Sequence, residues 1–162
     1  MKNKKKISEK ISTFFGNISA VLVLFLILLV STSVLLRYLF SIGFTWLQDL
    51  YIWIHACFIL LGIAFTLNKD AHVRIDIFYR NMTKNMKQKI NVIGSILFGL
   101  PLCYLIITKG YDYFFRSFLI NENSKETGGL PNIFILKFFI FFFGVLLFIE
   151  IINKINNFFK ND

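Results

Sequence analysis

The chain has 162 residues, of which 56% are apolar and 17% are charged, and its formal net charge is +9. Because soluble domains usually carry about 25% charged residues, this composition argues against a soluble fold. The lysines and arginines lie in the flanks of apolar segments, where they act as topology signals, so we expect no nucleic-acid partner.

Four apolar segments are long enough to cross a bilayer. Residues 11–36, 50–68 and 90–108 contain no charged side chain, and each stretch has at least 19 residues. About 20 apolar residues span a bilayer as a helix. A fourth segment, 130–152, is interrupted only by Lys137 and Glu150. We therefore predict an all-α integral membrane protein, a single domain over residues 1–162, with transmembrane helices at about 14–38, 45–67, 90–115 and 131–152.

The distribution of lysine and arginine predicts that both termini are cytoplasmic. Residues 1–10 hold five of these cations and residues 68–89 hold six, which places both segments on the cytoplasmic side by the positive-inside rule. No small-residue cleavage site of the A-x-A type follows the first apolar segment, so we interpret it as a retained helix rather than a signal peptide. The basic residues 1–10 can also contact anionic membrane lipid.

Helix 1 is expected to end near Arg37, close to the start of helix 2. Gly16 and Ala20 form a small-xxx-small pair in helix 1 that would allow close helix packing. Arg37 and Asp49 then lie at similar depth on adjacent helix ends. Because an unpaired charge at that depth is costly, we expect these two side chains to pair or to share a polar network.

Helix 2 opens with a cluster of polar and aromatic side chains. The cluster consists of Trp46, Gln48, Asp49, Tyr51, Trp53 and His55. Aromatic residues are common near membrane boundaries, but they are not normally accompanied by Gln, Asp and His. We therefore predict that the cluster faces another protein helix rather than lipid, with Gly62 suiting close packing deeper in the helix. A lone histidine such as His55 is more often a hydrogen-bonded packing residue than a ligand.

The segment 68–89 that follows helix 2 has two possible structures. Apolar residues at helical spacing predict a short basic amphipathic helix at the membrane interface. The alternation of apolar and charged residues over 73–77 instead indicates an extended piece. We favour a brief extended start followed by a helix. In either case His72, Arg74 and Asp76 can connect the cytoplasmic ends of helices 2 and 3.

Helices 3 and 4 contain residues that are unusual within a membrane span. Pro101 lies inside helix 3, where it removes one backbone hydrogen bond and predicts a kink. The loop before helix 4 ends in Gly-Gly-Leu-Pro, and Pro131 suits the first turn of that helix. Lys137 lies about 9 Å into helix 4. Its side chain can extend outward to solvent or pair with Glu122 or Glu126.

The sequence contains no pattern typical of an enzyme site. It has neither a Gly-rich phosphate loop nor a G-x-S-x-G or H-E-x-x-H motif. The two histidines, His55 and His72, would lie about 26 Å apart along one helix, too far to share a haem or a metal ion. We therefore expect no catalytic activity, no metal and no cofactor. The uncharged centres of helices 1 to 3 also fit poorly with self-sufficient ion-coupled transport.

Several motifs occur together along the chain. They are LLRYLF at 35–40, WLQDL at 46–50, the run into DAHVRIDIFY at 70–79, Gly94 with Pro101, and E-x-S-x-E-x-GGLP at 122–131 with Lys137. This combination resembles the small permease subunit of tripartite ATP-independent periplasmic (TRAP) transporters, the DctQ-like family. That family usually has Glu where Asp49 stands and often has a second acid where Gln48 stands.

The resemblance implies a subunit of an importer in the bacterial cytoplasmic (inner) membrane. In such systems a periplasmic substrate-binding protein delivers the solute, and a large permease subunit carries it with a sodium gradient. The small subunit is a non-catalytic scaffold beside the large one, and the branch that this chain resembles serves organic acids and related solutes. The alternatives are a membrane anchor or redox subunit of another complex, and an independent small transporter acting as a homo-oligomer.

Overall fold

The computed structural model of the chain describes residues 2–69 and 82–159. All regular structure in these two ranges is helical. Within them, four helices are long and apolar enough to cross a membrane, namely Lys10–Leu39, Thr45–Leu67, Asn85–Leu119 and Phe134–Phe158. The predicted all-α fold with four membrane spans is therefore confirmed.

The helices extend beyond the predicted spans at several ends. Their bounds are α1 Lys2–Leu39, α2 Thr45–Asn68, α3 Lys84–Gly94, a π-helical segment Ser95–Gly99, α4 Leu100–Leu119 and α5 Phe134–Phe158. The third spanning helix is continuous through α3, the π segment and α4. Helix α1 begins well before the predicted start near residue 14, because the lysines ahead of the apolar segment are good helix formers that continue the same helix.

The predicted interfacial segment after helix 2 lies mostly outside the described residues, and so do His72, Arg74 and Asp76. Its last part belongs to α3, since the Thr83 hydroxyl caps that helix by accepting a hydrogen bond from the Met86 N–H at 3.4 Å. The described end of the segment is therefore the beginning of the third spanning helix.

The π segment comes directly before Pro101, the residue that predicts a kink. The Leu100 N–H donates to the carbonyl of Ser95, five residues back instead of four. Proline has no N–H and its ring clashes with the carbonyl of the preceding turn. A widened turn at this place gives the proline ring room, and the Ser95 hydroxyl donates to the Asn91 carbonyl at 2.7 Å.

Helix α5 begins at Phe134, so the expectation that Pro131 lies in its first turn is wrong. The residue after the proline, Asn132, has a φ of +63°, which interrupts the helical path. Asparagine tolerates this left-handed conformation better than most residues. The Asn132 N–H donates to the side-chain oxygen of Asn123 at 3.1 Å, which holds the turn against the preceding loop.

The helices pack in the order α1, α2, α5, α4 across the bundle, which differs from their order in the chain. Helix α5 is central, because it packs against both α2 and α4 and contributes to both apolar clusters of the core. Its buried apolar residues are Phe143, Leu146, Leu147 and Ile151. Lipid tails are as apolar as leucine, so this packing depends on close contact rather than on removal from water.

Glycines bring the backbones of α4 and α5 close together. A Cβ atom added to Gly110 of α4 would lie 3.2 Å from the Cα of Phe141 in α5. A Cβ atom added to Gly144 of α5 would lie 2.7 Å from the Ile106 side chain. These two glycines carry no signal in the sequence, because they lie on different helices and form no small-xxx-small pair.

Small residues also allow α1 and α2 to approach each other closely. Gly16 lies directly against the ring of Phe65, whereas Ala20 is exposed, so only one member of the predicted small-residue pair lies in the interface. A Cβ atom on Gly62 would lie 3.0 Å from the Ser19 Oγ, and the Ser19 hydroxyl donates to the Phe58 carbonyl at 2.8 Å. A hydrogen bond between helices thus accompanies the close approach.

We predict that Gly110→Ala destabilises the bundle by about 1–3 kcal/mol, because the new methyl group meets the rigid backbone of α5. The measurement is reversible unfolding of the purified protein in detergent. Gly94→Ala is the matched control, since no atom from outside its own turns of helix lies within 4 Å of the position that a Cβ atom would take there. A helical Gly→Ala change in open space is expected to raise stability by about 0.5–1 kcal/mol. Equal effects of both substitutions would contradict the close approach of α4 and α5.

Candidate partner-binding site and its supporting loop

Two connections lie at the same end of the bundle, which we call the loop end. One is the short link between α1 and α2, residues 40–44, and the other is the longer loop between α4 and α5, residues 120–133. The polar side chains selected from the sequence divide between two places. One set holds the longer loop to the helices, and the other lies on the outward face of α2.

Asp49 of α2 holds the longer loop. Its Oδ2 accepts a hydrogen bond from the backbone N–H of Leu130 at 2.9 Å, across a sequence separation of 81 residues. Gly129 lies so close that a Cβ atom there would collide with the Asp49 Oδ2 and the Ser124 side chain. Gly128 has a φ of +78°, which favours glycine. The WLQD and GGLP motifs therefore form one structural unit.

Asp49 does not pair with Arg37, so that expectation is wrong. Arg37 is exposed in the last turn of α1. Within the described residues, no ion pair joins Arg37 to Asp49. The carboxylate of Asp49 instead accepts from the backbone N–H of Leu130, which lies in a loop outside regular secondary structure. Arg37 is thus left on the surface at the loop end.

Lys137 is buried at the loop end, in the first turn of α5. Its Nζ forms an ion pair with the Glu122 carboxylate and lies 4.0 Å from the centroid of the Tyr113 ring. Of the predicted alternatives, pairing with Glu122 is the one that the structure forms. Because Tyr113 lies about 7.5 Å beyond Thr108, where the uncharged part of its helix ends, Lys137 lies at headgroup level rather than within the hydrocarbon.

The charge of Glu122 is fixed by its neighbours. The hydrogen bond from Lys137 lowers the pKa of the Glu122 carboxyl group, and the Ser117 hydroxyl lowers it further. The carboxylate is therefore ionised at neutral pH, where it neutralises the buried ammonium group. Ser117 is 1% exposed, and the sequence gives no signal for its role because a lone serine in a helix forms no pattern.

The outward face of α2 carries the other polar side chains. Exposed residues recur at i, i+4, i+7 and i+11, and they are Gln48, Ile52, His55 and Ile59. We call this set the α2 stripe. The opposite side of the helix, with Leu47, Ile54 and Leu61, is buried in the bundle. The polar residues of α2 thus separate into Asp49, which holds the loop, and Gln48 and His55, which face outward.

Of the aromatic members of the predicted cluster, Tyr51 lies beside the α2 stripe, whereas Trp46 and Trp53 lie more than about 90° around the helix from it. Trp46 is 44% exposed and its ring lies 5.9 Å from that of Phe44, while Tyr51 and Trp53 are half-buried. Gly62 lies against α1 instead, which makes it part of the bundle interior. The predicted cluster does not form one surface, and the candidate partner-binding face is the side of the helix with Gln48 and His55.

His55 is the deepest polar group of the α2 stripe. It lies about 9 Å along the helix from Asp49, within the hydrocarbon layer. Its ring makes an edge-to-face contact with Phe58, with centroids 5.1 Å apart. A neutral imidazole has one donor and one acceptor nitrogen, and lipid tails can satisfy neither. The ring of His55 is exposed at this depth, and the hydrogen bonds among the described residues do not include it.

The described residues contain no group of three or more His, Cys, Asp or Glu side chains that could hold a metal ion. Cys57 and Cys103 are both free thiols within the spans, and Cys103 is fully buried in the apolar cluster between α4 and α5. Buried cysteines of this kind behave as small apolar residues.

These features define a multi-pass membrane protein in which helix α2 carries an outward polar face. A family model described as tripartite ATP-independent periplasmic transporters, DctQ component, matches residues 26–161. The match covers most of the chain, so the protein belongs to this family and is a small membrane component of a transporter in the bacterial inner membrane. No curated protein and no solved structure matches the chain.

We predict that Asp49→Ala releases the longer loop. Removing a hydrogen bond to a charged acceptor should speed hydrogen exchange at the Leu130 amide roughly tenfold or more. Exchange measured by mass spectrometry on the detergent-solubilised protein tests this. Glu126→Ala removes an exposed carboxylate from the same loop and should leave the exchange at Leu130 unchanged. Unaltered exchange in Asp49→Ala would show that the bond does not hold the loop.

We also predict a specific acid sensitivity from Glu122. A carboxyl group whose pKa is lowered on folding stabilises the native state above its ordinary value of 4.5, and this contribution is lost as the pH falls through the lowered folded value. The thermal stability of Glu122→Gln should therefore be below that of the wild type at neutral pH, and the difference should shrink in acid below pH 4.5. Glu126→Gln should retain the wild-type pH dependence. A difference that stays constant with pH would contradict the assignment.

Proposed function

We propose that this protein is the non-catalytic small subunit of a sodium-coupled, binding-protein-dependent importer, and that it scaffolds the large permease subunit. Membership of the DctQ family supports a three-part transporter with a large permease and a periplasmic binding protein as partners. The proposal of an organic acid or related small solute rests on the resemblance of the HVRID and GGLP motifs. Within this scheme the large subunit binds and moves the solute.

The α2 stripe is the single observation that carries the scaffold role. If Gln48 and His55 faced lipid, their polar groups would have no partners in or near the hydrocarbon. An unsatisfied polar group in the interior of that layer costs several kcal/mol of free energy. A polar helix of another membrane protein can supply those partners. The apolar neighbours Ile52 and Ile59 suit the same interface, since they alternate with the polar residues along one line of the helix.

The rest of the bundle is built to hold α2 in a fixed orientation. Helix α2 packs against α1 through Gly16, Ser19 and Gly62, and against α5 on its other side. The bond between Asp49 and Leu130 connects its first turns to the loop before α5. A helix held on both flanks and at one end can present a partner face without moving, as a scaffold requires.

We further propose that the loop end is periplasmic and that both termini are cytoplasmic. The excess of lysine and arginine in residues 1–10 and 68–89 supports this orientation. The loop end would then lie on the side from which the binding protein delivers solute.

Reconstitution of the transporter tests the proposed function. Proteoliposomes that contain the large subunit, this protein and the binding protein should import solute in response to a sodium gradient, and omission of this protein should abolish or strongly reduce uptake. Full uptake without it would reject the scaffold role. Solute flux with this chain alone would indicate an independent transporter, and haem absorption in the purified protein would indicate a redox subunit.

We predict that the double substitution Gln48→Leu and His55→Leu lowers recovery of the large subunit with the tagged small subunit. Loss of two hydrogen bonds between membrane helices should weaken the complex by roughly 1–2 kcal/mol, or about tenfold. Copurification at limiting protein concentration measures the effect. Tyr104→Leu is the matched control, because Tyr104 is also exposed within a span but lies on the third helix. Equal recovery of the double variant and the wild type would place the interface elsewhere.

A further inference from the structure

A surface groove runs between α4 and α5 in the half of the bundle nearest the loop end. Its apolar walls are formed by Leu105 and Ile106 of α4 and Ile140 of α5, and Gly110 forms its floor. The volume of about 710 Å³ falls within the range of roughly 300–1,000 Å³ that is usual for small-ligand sites. Helices α4 and α5 make their close approach at Gly110, which lies at the base of the groove between them.

Two cations lie along the part of the groove nearest the loop end. Lys109 and Arg116 both line it, both are exposed, and neither forms an ion pair with any other described residue. Asp112 lies between them along the same side of α4 and also lines the groove. The order of charges along this part of α4 is therefore positive, negative, positive.

The depth of these charges matches the headgroup layer of a bilayer. The uncharged part of the third spanning helix, residues 90–108, is about 28 Å long, which matches a hydrocarbon layer of about 30 Å. Lys109 therefore lies at the boundary of that layer. Arg116 lies about 10 Å further along the axis, and its long side chain inclines back towards the helix N-terminus and thus towards Lys109.

We propose that this groove binds one phospholipid from the leaflet at the loop end. Its acyl chain lies against Leu105, Ile106 and Ile140, and its phosphate lies between Lys109 and Arg116. A headgroup with an ammonium beside the phosphate, such as phosphatidylethanolamine, also matches the carboxylate of Asp112. The apolar walls match an acyl chain, and the free cations nearer the loop end match the phosphate. This is the order in which a phospholipid of that leaflet presents its two parts. Lipid binding in this groove does not depend on the function proposed for the α2 stripe.

Native mass spectrometry of the detergent-solubilised full chain tests the proposal. Phosphatidylethanolamine should bind as one copy at low concentration, whereas a diacylglycerol with the same acyl chains but no phosphate should bind more weakly. Lys109→Gln combined with Arg116→Gln should weaken phosphatidylethanolamine binding roughly fivefold to tenfold. The charge-preserving pair Lys109→Arg and Arg116→Lys should retain binding, which separates loss of the site from loss of the fold.

The control variant combines Lys89→Gln with Lys125→Gln, which removes two exposed cations outside the groove. It should bind phosphatidylethanolamine as the wild type does. Equal binding of the two lipids, or an equal loss of affinity in the control, would show non-specific lipid association and overturn the proposal. Oxidative crosslinking of Lys109→Cys to a cysteine introduced into the large subunit, with a copper-phenanthroline oxidant in intact membranes, would also overturn it, because the groove would then belong to a protein interface.

Discussion

The hydrogen bond from the Leu130 N–H to the Asp49 carboxylate determines how the loop end of this protein is organised. It joins the start of α2 to the loop before α5, although 81 residues separate the two in sequence. Gly129 must lack a side chain for the carboxylate to reach the backbone. The same loop carries Glu122, which neutralises Lys137, so the loop conformation that the bond stabilises also places a counter-ion beside a buried cation.

Helix α5 completes this arrangement from the interior of the bundle. It lies between α2 and α4, and it approaches α4 most closely where Gly110 and Gly144 face the other helix. In a bilayer such close approach replaces the hydrophobic driving force of a soluble core, because a loosely packed helix can exchange its protein contacts for lipid contacts at little cost. Small residues thus allow close packing at two separate interfaces, that of α4 with α5 and that of α1 with α2.

Some polar groups in the spans have a hydrogen-bonding or ionic partner within the chain, and others lie exposed on its surface. Asp49 and Lys137 have partners within the described structure. Gln48 and His55 lie exposed on α2, and Lys109 and Arg116 lie exposed along the groove. Since the membrane supplies few polar partners in its interior, the exposed histidine is the basis for proposing a protein neighbour on this face. The two cations lie at headgroup depth, where a lipid phosphate is available.

The sequence by itself determined the four spans, the family resemblance and the pairing choices open to Lys137, because charge-free length and local motifs are properties of single segments. It did not determine the order α1, α2, α5, α4, the π segment before Pro101, or the acceptor role of Asp49. A helix that is apolar on all sides gives no periodic signal for its buried face. Only the tertiary structure could show which polar side chain of α2 turns inward to a backbone N–H and which turns outward.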